Sequence, residues 1–349
     1  MTTQETTQST NPVPPAVELR LMITGYWISQ SIYVAAKLGI ADLLKDGPKS
    51  SDQLAKSAGA HPDALHRVLR ALASVGIFAE NQEGHFELTP LAAALQTGVP
   101  GSLRDWAVMM GEEWVWRPWG ELLYSVRTGE TAFEHVFGMG HFDYLSRNPE
   151  AGETHNKGMT ASPMQPPSAV VAAYDFSGIN TLVDVGGGQG AQIAAVLKAN
   201  SHIRGILFDL PHVIEGARSL LEVGGVAARC ELVGGDFFQS VPVGGDVYLL
   251  KAVIHDWDDD RGIAILKNCH RAMTKQSKLL LIERVMPTRV EQSAAFQLVA
   301  RFDLQMLVIA GGRDRTEMEH RSLLMAAGFK LTRVIATPFG VSIIEGVTV

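Results

Sequence analysis

The sequence predicts an α/β chain: a Rossmann-like sheet closed by an antiparallel C-terminal hairpin, preceded by a mainly helical, winged-helix half. Three observations lead there. An apolar run at 182–185 passes straight into Gly186, Gly187, Gly188 and Gly190, so a buried strand ends in a turn that lets backbone approach a ligand closely. Strand-like runs at 205–209, 230–233, 246–251 and 278–283 then alternate with helical ones, the pattern of a parallel sheet. The first half has helical periodicity and one short hairpin. At 349 residues, with 46% hydrophobic and 19% charged residues, the chain suits two folding units.

Residues 1–18, rich in Thr, Gln and Pro, lack the basic and apolar blocks of an export signal and read as a disordered arm. The stretch 21–44 is apolar, but Thr24, Gln30, Ser31, Lys37 and Asp42 interrupt it, which suits a buried or dimer-facing helix better than a membrane span. Two amphipathic helices follow at 51–59 and 62–72, with a turn at Gly59. Strands at 77–80 and 85–89 flank the turn 81–84, completing a winged-helix order. Such folds often bind DNA. Here Lys56, Arg67 and Arg70 are outnumbered by Asp52, Asp63, Glu80, Glu83 and Glu87, and the whole chain carries −7, so packing or dimerisation is favoured and no nucleic-acid partner is expected. Trp106, Trp114, Trp116 and Trp119 read mostly as core. A proline-rich joint at 163–167 separates a dimerisation domain, 19–165, from a catalytic domain, 166–349. The two cysteines, Cys230 and Cys269, have no metal-type spacing and read as buried thiols of a cytoplasmic protein.

In an open α/β sheet, ligands sit beyond the carboxyl ends of the strands. This sequence places a polar residue at each such end: Asp184, Asp209, Asp236, Lys251 with His255, and Glu283. Asp209 can accept hydrogen bonds from vicinal ribose hydroxyls, and Gly235-Asp236-Phe237 sets a carboxylate beside a flat ring, which suits a purine with an exocyclic amine. His255 is the candidate general base, with Glu283 one strand over to hold its tautomer. The glycine pattern alone is ambiguous. Gly186-x-Gly188-x-x-Ala191 with Asp209 further on also satisfies a loose dinucleotide fingerprint, so a nicotinamide oxidoreductase remains the second enzyme reading. A ligand-sensing regulator built on the winged segment is the non-enzymatic one.

The ordered set Leu-Val-Asp-Val-Gly-Gly-Gly-Gln-Gly, Phe-Asp-Leu-Pro, Gly-Gly-Asp-Phe-Phe, Lys-Ala-Val-Ile-His-Asp-Trp, Ile-Glu and Gly-Gly-Arg-Asp-Arg-Thr resembles the S-adenosylmethionine-dependent small-molecule O-methyltransferases typified by plant caffeic acid and bacterial antibiotic-pathway enzymes. The resemblance spans nearly the whole chain. It implies a homodimer, S-adenosyl-L-methionine as cofactor, an aromatic small-molecule substrate and no metal or membrane. Residue by residue it implies cofactor contacts from Asp184, Gly186, Asp209, Gly235, Asp236, Phe237 and Lys251, and catalysis by His255 with Glu283 and Asp314 beside it. Met159, Asp256 and Met306 fall at substrate positions. Asp314 is one methylene shorter than the usual Glu. Ala151 and His155 replace phenylalanines of the plant enzymes, so plant substrates do not carry over.

Overall fold

The computed structural model describes residues 13–161, 166–338 and 340–349. It divides into two compact units, the second beginning at Glu112.

In the first unit, helices Pro15–Ile23, Gly25–Lys37 and Ile40–Leu43 precede the two expected amphipathic ones, Ser51–Ala58 and Pro62–Ala73. Ser50 opens the former with a capping box, its hydroxyl accepting from the Gln53 N–H while the Gln53 carboxamide accepts in return. Gly59 ends it with φ 65, a conformation that suits glycine. The hairpin pairs β1 (Phe78–Glu80) with β2 (Phe86–Leu88), and Asn81 Oδ1 fixes the turn by accepting from the Glu83 and His85 N–H groups. Leu54, Leu69, Leu72, Phe78 and Phe86 interlock as its core.

The second unit carries a seven-stranded sheet. Its strands are β3 (Thr181–Val185), β4 (Arg204–Asp209), β5 (Cys230–Gly234), β6 (Val247–Lys251), β7 (Lys278–Glu283), β8 (Phe329–Ala336) and β9 (Ser342–Thr348), in the spatial order β5-β4-β3-β6-β7-β9-β8. The first five are parallel, and β8 and β9 form the expected antiparallel closing hairpin. Strand order reverses between β3 and β6, and in open α/β sheets ligands sit beyond the carboxyl ends at such a point. Alternate residues feed two cores: Leu182, Val247, Leu249, Leu280 and Ile282 on one face, and Val183, Tyr248, Leu250, Leu279 and Leu281 on the other. Period-two alternation with both sides apolar is what helices on both faces require.

Three expectations change. Residues 1–12 of the expected arm lie outside the described residues, and Pro15–Ile23 is helical because Pro15 occupies the first helical position, where its missing N–H costs nothing. The unit boundary falls at Glu112, well before the proline-rich joint, whose residues 163–165 are not described. Helices after Glu112 pack on the sheet's own unit: Trp119 Nε1 donates to Gln305 Oε1 at 2.6 Å, and Phe142 stacks on Trp257 at 5.4 Å. Among the four tryptophans, Trp114 alone is buried, whereas Trp116 is 45% exposed. Cys269 is buried and Cys230 half-buried, and burial pushes both thiols up to about 12. No helix among the described residues is long and apolar enough to cross a membrane.

Leu280 is fully buried in β7, between β6 and β9. Leu280→Ala is expected to cost about 2–5 kcal/mol of stability, read as a lower denaturant midpoint with unchanged slope.

Candidate active site

At the end of β6 the chain makes a strained turn. Ala252 has φ 54, the sole non-glycine residue with positive φ among the described residues. The turn leads into a short 3-10 helix, Ile254–Asp256, and aims three successive backbone N–H groups at one carboxylate. Glu283 Oε1, at the end of β7, accepts from Val253 (3.2 Å), Ile254 (2.9 Å) and His255 (3.4 Å). Its other oxygen, Oε2, lies 2.7 Å from His255 Nδ1. Glu283 is fully buried, and burial alone would raise its pKa; the opposing pull of His255, by charge and hydrogen bond, holds it down at about 2. The expected imidazole–carboxylate pair is therefore built by the end of one strand and the turn after its neighbour.

Two further carboxylates face the same ring. Asp256 Oδ1 is 3.5 Å from Nε2, and Asp314 Oδ1 is 3.9 Å from Nδ1. Burial pushes Asp256 up to about 6, and Asp314 is also raised by burial. His255 is itself buried, which lowers its pKa, yet the surrounding carboxylates, Glu283 first, leave it above the ordinary histidine value. Arg284, which the sequence reading passed over, sits in the middle: its Nε donates to Asp314 Oδ2 at 2.8 Å and its Nη2 lies 3.4 Å from His255 Nδ1. Adjacent strand residues point to opposite faces, so a residue next to Glu283 is not expected in the same site. It reaches the site because β7 stops at Glu283 and the chain leaves the sheet.

Gly312 and Arg315 hold the turn from behind. A β-carbon on Gly312 would overlap the His255 carbonyl and the backbone of Asp256 and Trp257, so only glycine fits. The fully buried Arg315 donates to the carbonyls of Ile254 (3.0 Å) and Trp257 (2.8 Å) and pairs with Asp259. Both lie in the motif Gly-Gly-Arg-Asp-Arg-Thr, where only Asp314 carried a sequence expectation.

The other half of the crevice is the glycine loop. Gly186, Gly188 and Gly190 all have positive φ, and a β-carbon on Gly186 would press on Val253 at 2.9 Å, so the loop lies against the His255 turn. Asp209 Oδ2 accepts from the Gly188 N–H at 2.8 Å. Asp236 Oδ1 accepts from Phe238 N–H at 2.8 Å, and the Phe237 and Trp257 rings meet edge to face. A β-carbon on Gly235 would strike the Phe208 ring at 2.6 Å. Asp184 is fully buried, and neither carboxylate oxygen has a well-aligned hydrogen-bond partner among the described residues. Burial pushes it up to about 7, opposed by Lys251, which burial in turn pushes down to about 8. A buried carboxylate beside a glycine turn, with Asp209 near it, fits a polar cofactor.

Substrate-position residues are split. Met306 is buried at the start of a π-helical stretch, Met306–Ala310, while Met159 is 42% exposed on helix Pro149–Ala161. His155 lies on the face of Met159, one turn earlier, within an aromatic group that includes Trp114 and His141, and burial pushes it down to about 4.

Residues 119–330 match the family model for the O-methyltransferase domain and residues 21–98 that for the O-methyltransferase dimerisation domain. The chain is 49% identical over 333 residues to the phenazine O-methyltransferase PhzM of Lysobacter antibioticus, covering 95% of this chain and 96% of that one. The crystal structure of LaPhzM superimposes with a TM-score of 0.92 at 48% identity, over 97% of this chain and 100% of that one. An O-methyltransferase from neocarzinostatin biosynthesis, solved with S-adenosylmethionine and 2-hydroxy-5-methyl naphthoic acid, superimposes with a TM-score of 0.80 at 30% identity, over 93% and 96% of the two chains.

Two outcomes are expected of this geometry. Gly312→Ala displaces the His255 turn, and an ångström of misplacement is expected to cost on the order of 10²-fold in turnover with the fold retained by circular dichroism. Because Glu283 is held at about 2 against an ordinary 4.5, its stabilisation is present above pH 4.5 and lost as pH falls toward 2. The stability gap between wild type and Glu283→Gln, measured by denaturant titration, is therefore expected to narrow across that window.

With both domains matched, more than 30% identity over nearly its full length and the same fold, the chain belongs to the O-methyltransferase family, S-adenosyl-L-methionine-dependent enzymes with an N-terminal dimerisation domain.

Proposed function

We propose that this protein is a metal-independent O-methyltransferase that methylates a hydroxyl of an aromatic small molecule in secondary metabolism, acting as a cytoplasmic homodimer with His255 as general base. The observation that carries the reading is the 2.7 Å contact of His255 Nδ1 with Glu283 Oε2. A carboxylate whose other oxygen accepts three backbone N–H groups stays ionised, so Nδ1 keeps its hydrogen and Nε2 is left as the basic nitrogen. The names of the relatives support an aromatic acceptor: a phenazine in one and a naphthoic acid in another. Trp257, stacked on Phe142, and buried Met306 supply apolar wall for such a ring. The exposed Leu21, Met22, Ile23, Tyr26 and Trp27, within the matched dimerisation segment, supply apolar surface for a second copy.

S-adenosyl-L-methionine, when bound, supplies a methyl group on a positively charged sulfur and is left as S-adenosylhomocysteine. Asp209 would hold its ribose hydroxyls, Asp236 and Phe237 its adenine, and the loop at Gly186 with Asp184 and Lys251 its methionine end. His255 Nε2 would take the proton of the substrate hydroxyl. A reference phenol near ~10 and an imidazole near ~6.5 leave complete transfer about 3.5 units uphill, or roughly 5 kcal/mol. The carboxylates around His255 raise its basicity and narrow that gap. Holding the hydroxyl oxygen in line with the methyl group would contribute the larger share. Metal independence is supported by the donor set, in which Glu283 Oε1 is committed to backbone N–H groups and Asp314 Oδ2 to Arg284.

Incubation with methyl-labelled cofactor and a panel of hydroxylated phenazines, naphthoates and simple phenols is expected to label at least one acceptor, with His255→Ala slowing the reaction about 10²–10⁴-fold. A chelator is expected to leave the rate unchanged. Undiminished turnover by His255→Ala would remove the base from its assigned role, and rescue of chelated enzyme by magnesium would remove metal independence.

A further inference from the structure

We infer that Arg284 is a positioning residue that limits protonation of the His255 imidazole, and so keeps it able to act as a base, by holding the Asp314 carboxylate away from it. This rests on the reading of His255 as general base. Three carboxylates stand within 4.0 Å of the ring: Glu283 at 2.7 Å, Asp256 at 3.5 Å and Asp314 at 3.9 Å. Each favours the imidazolium form, and an imidazole already carrying its second proton cannot accept one from a substrate. The same charge that raises the basicity of the ring therefore has to be limited for the ring to stay free to accept a proton.

Arg284 is placed to do that. It is 3% exposed, its Nε donates to Asp314 Oδ2 at 2.8 Å, and its Cζ lies 4.2 Å from the centre of the Phe302 ring. Salt bridge and aromatic face together fix the plane of the guanidinium. Its Nη2 lies 3.4 Å from His255 Nδ1, and a guanidinium only donates, so it sets a positive charge beside that nitrogen. Whichever nitrogen of the neutral ring carries the hydrogen, that charge opposes a second proton on it. Asp314 Oδ1, the oxygen nearer His255, has no hydrogen-bond partner among the described residues. Without Arg284, Asp314 has the imidazole as its nearest way to be neutralised. The other charged and titratable groups near the ring do not replace it. Arg315 is occupied with the carbonyls of Ile254 and Trp257 and with Asp259, Asp303 accepts from the Asp314 backbone N–H, and His320 is a buried neutral ring whose pKa burial lowers to about 4.

The test titrates the His255 ring directly. Histidine-selective 15N NMR on the ligand-free protein follows its protonation, with the resonance assigned by its loss in His255→Ala. Arg284→Met is expected to move the midpoint up by about one pH unit or more, Arg284→Lys to restore most of it, and Asp314→Asn to move it down. The acid limb of kcat/KM for methyl transfer is expected to shift in the same order. A role confined to structure would lower the rate and leave both midpoints in place, and an unmoved ring in folded Arg284→Met overturns the inference. Should that variant not fold, Asp314→Asn decides: a downward shift supports the inference and an unmoved ring overturns it. If His255→Ala keeps full activity and the acid limb, the base reading fails, while the ring titration still judges Arg284 separately.

Discussion

The contact on which the rest of the site depends is the buried carboxylate of Glu283 facing the imidazole of His255. A carboxylate removed from water is costly unless its lone pairs are used. Here three backbone N–H groups converge on one oxygen, and the other lies 2.7 Å from the imidazole. The strained conformation of Ala252, the glycine at 312 and the buried guanidinium of Arg315 all serve that convergence. Each is costly or restrictive alone, and they share one result, a turn that cannot present His255 in another direction.

The crevice has two electrostatic halves set back to back. On the side of the glycine loop, burial raises Asp184 and lowers Lys251, and the charge of each opposes the shift of the other. Around His255 carboxylates outnumber cations, and Arg284 offsets part of the excess. Val253 joins the two: its side chain packs at the Gly186 loop and its N–H points at Glu283. A single turn after β6 thus gives one wall to each half, which keeps the donor end of the crevice and the base in a fixed relation.

Much of this was legible in the residues. The alternation of buried apolar runs and helices gave the parallel order of five strands, because strands covered on both faces must be apolar throughout. The polar residue at each strand end marked the crevice, because a strand's last residue lies at the sheet's edge whatever the rest of the fold does. The helix-helix-hairpin order and its acidic balance pointed to a dimerisation module, and the family match agrees. Arg284, Gly312 and Arg315 were not legible as parts of the site, and neither was the extent of the sheet's own unit back to Glu112. No local pattern signals that a chain leaves its sheet at one residue and returns a neighbouring side chain to the same crevice.

The sequence by itself determined the kind of strands, their succession and the chemistry at their ends, since these follow from short-range periodicity and the character of single side chains. Only the tertiary structure decided which charges share one dielectric environment. His255, Asp256, Glu283, Arg284 and Asp314 come from three separate stretches of chain, and their effect on one another depends on separations of 2.7 to 3.9 Å that packing sets. Coulomb interactions in a buried site change steeply over such distances, and that is why the family could be read from the residues while the balance of charge around its base could not.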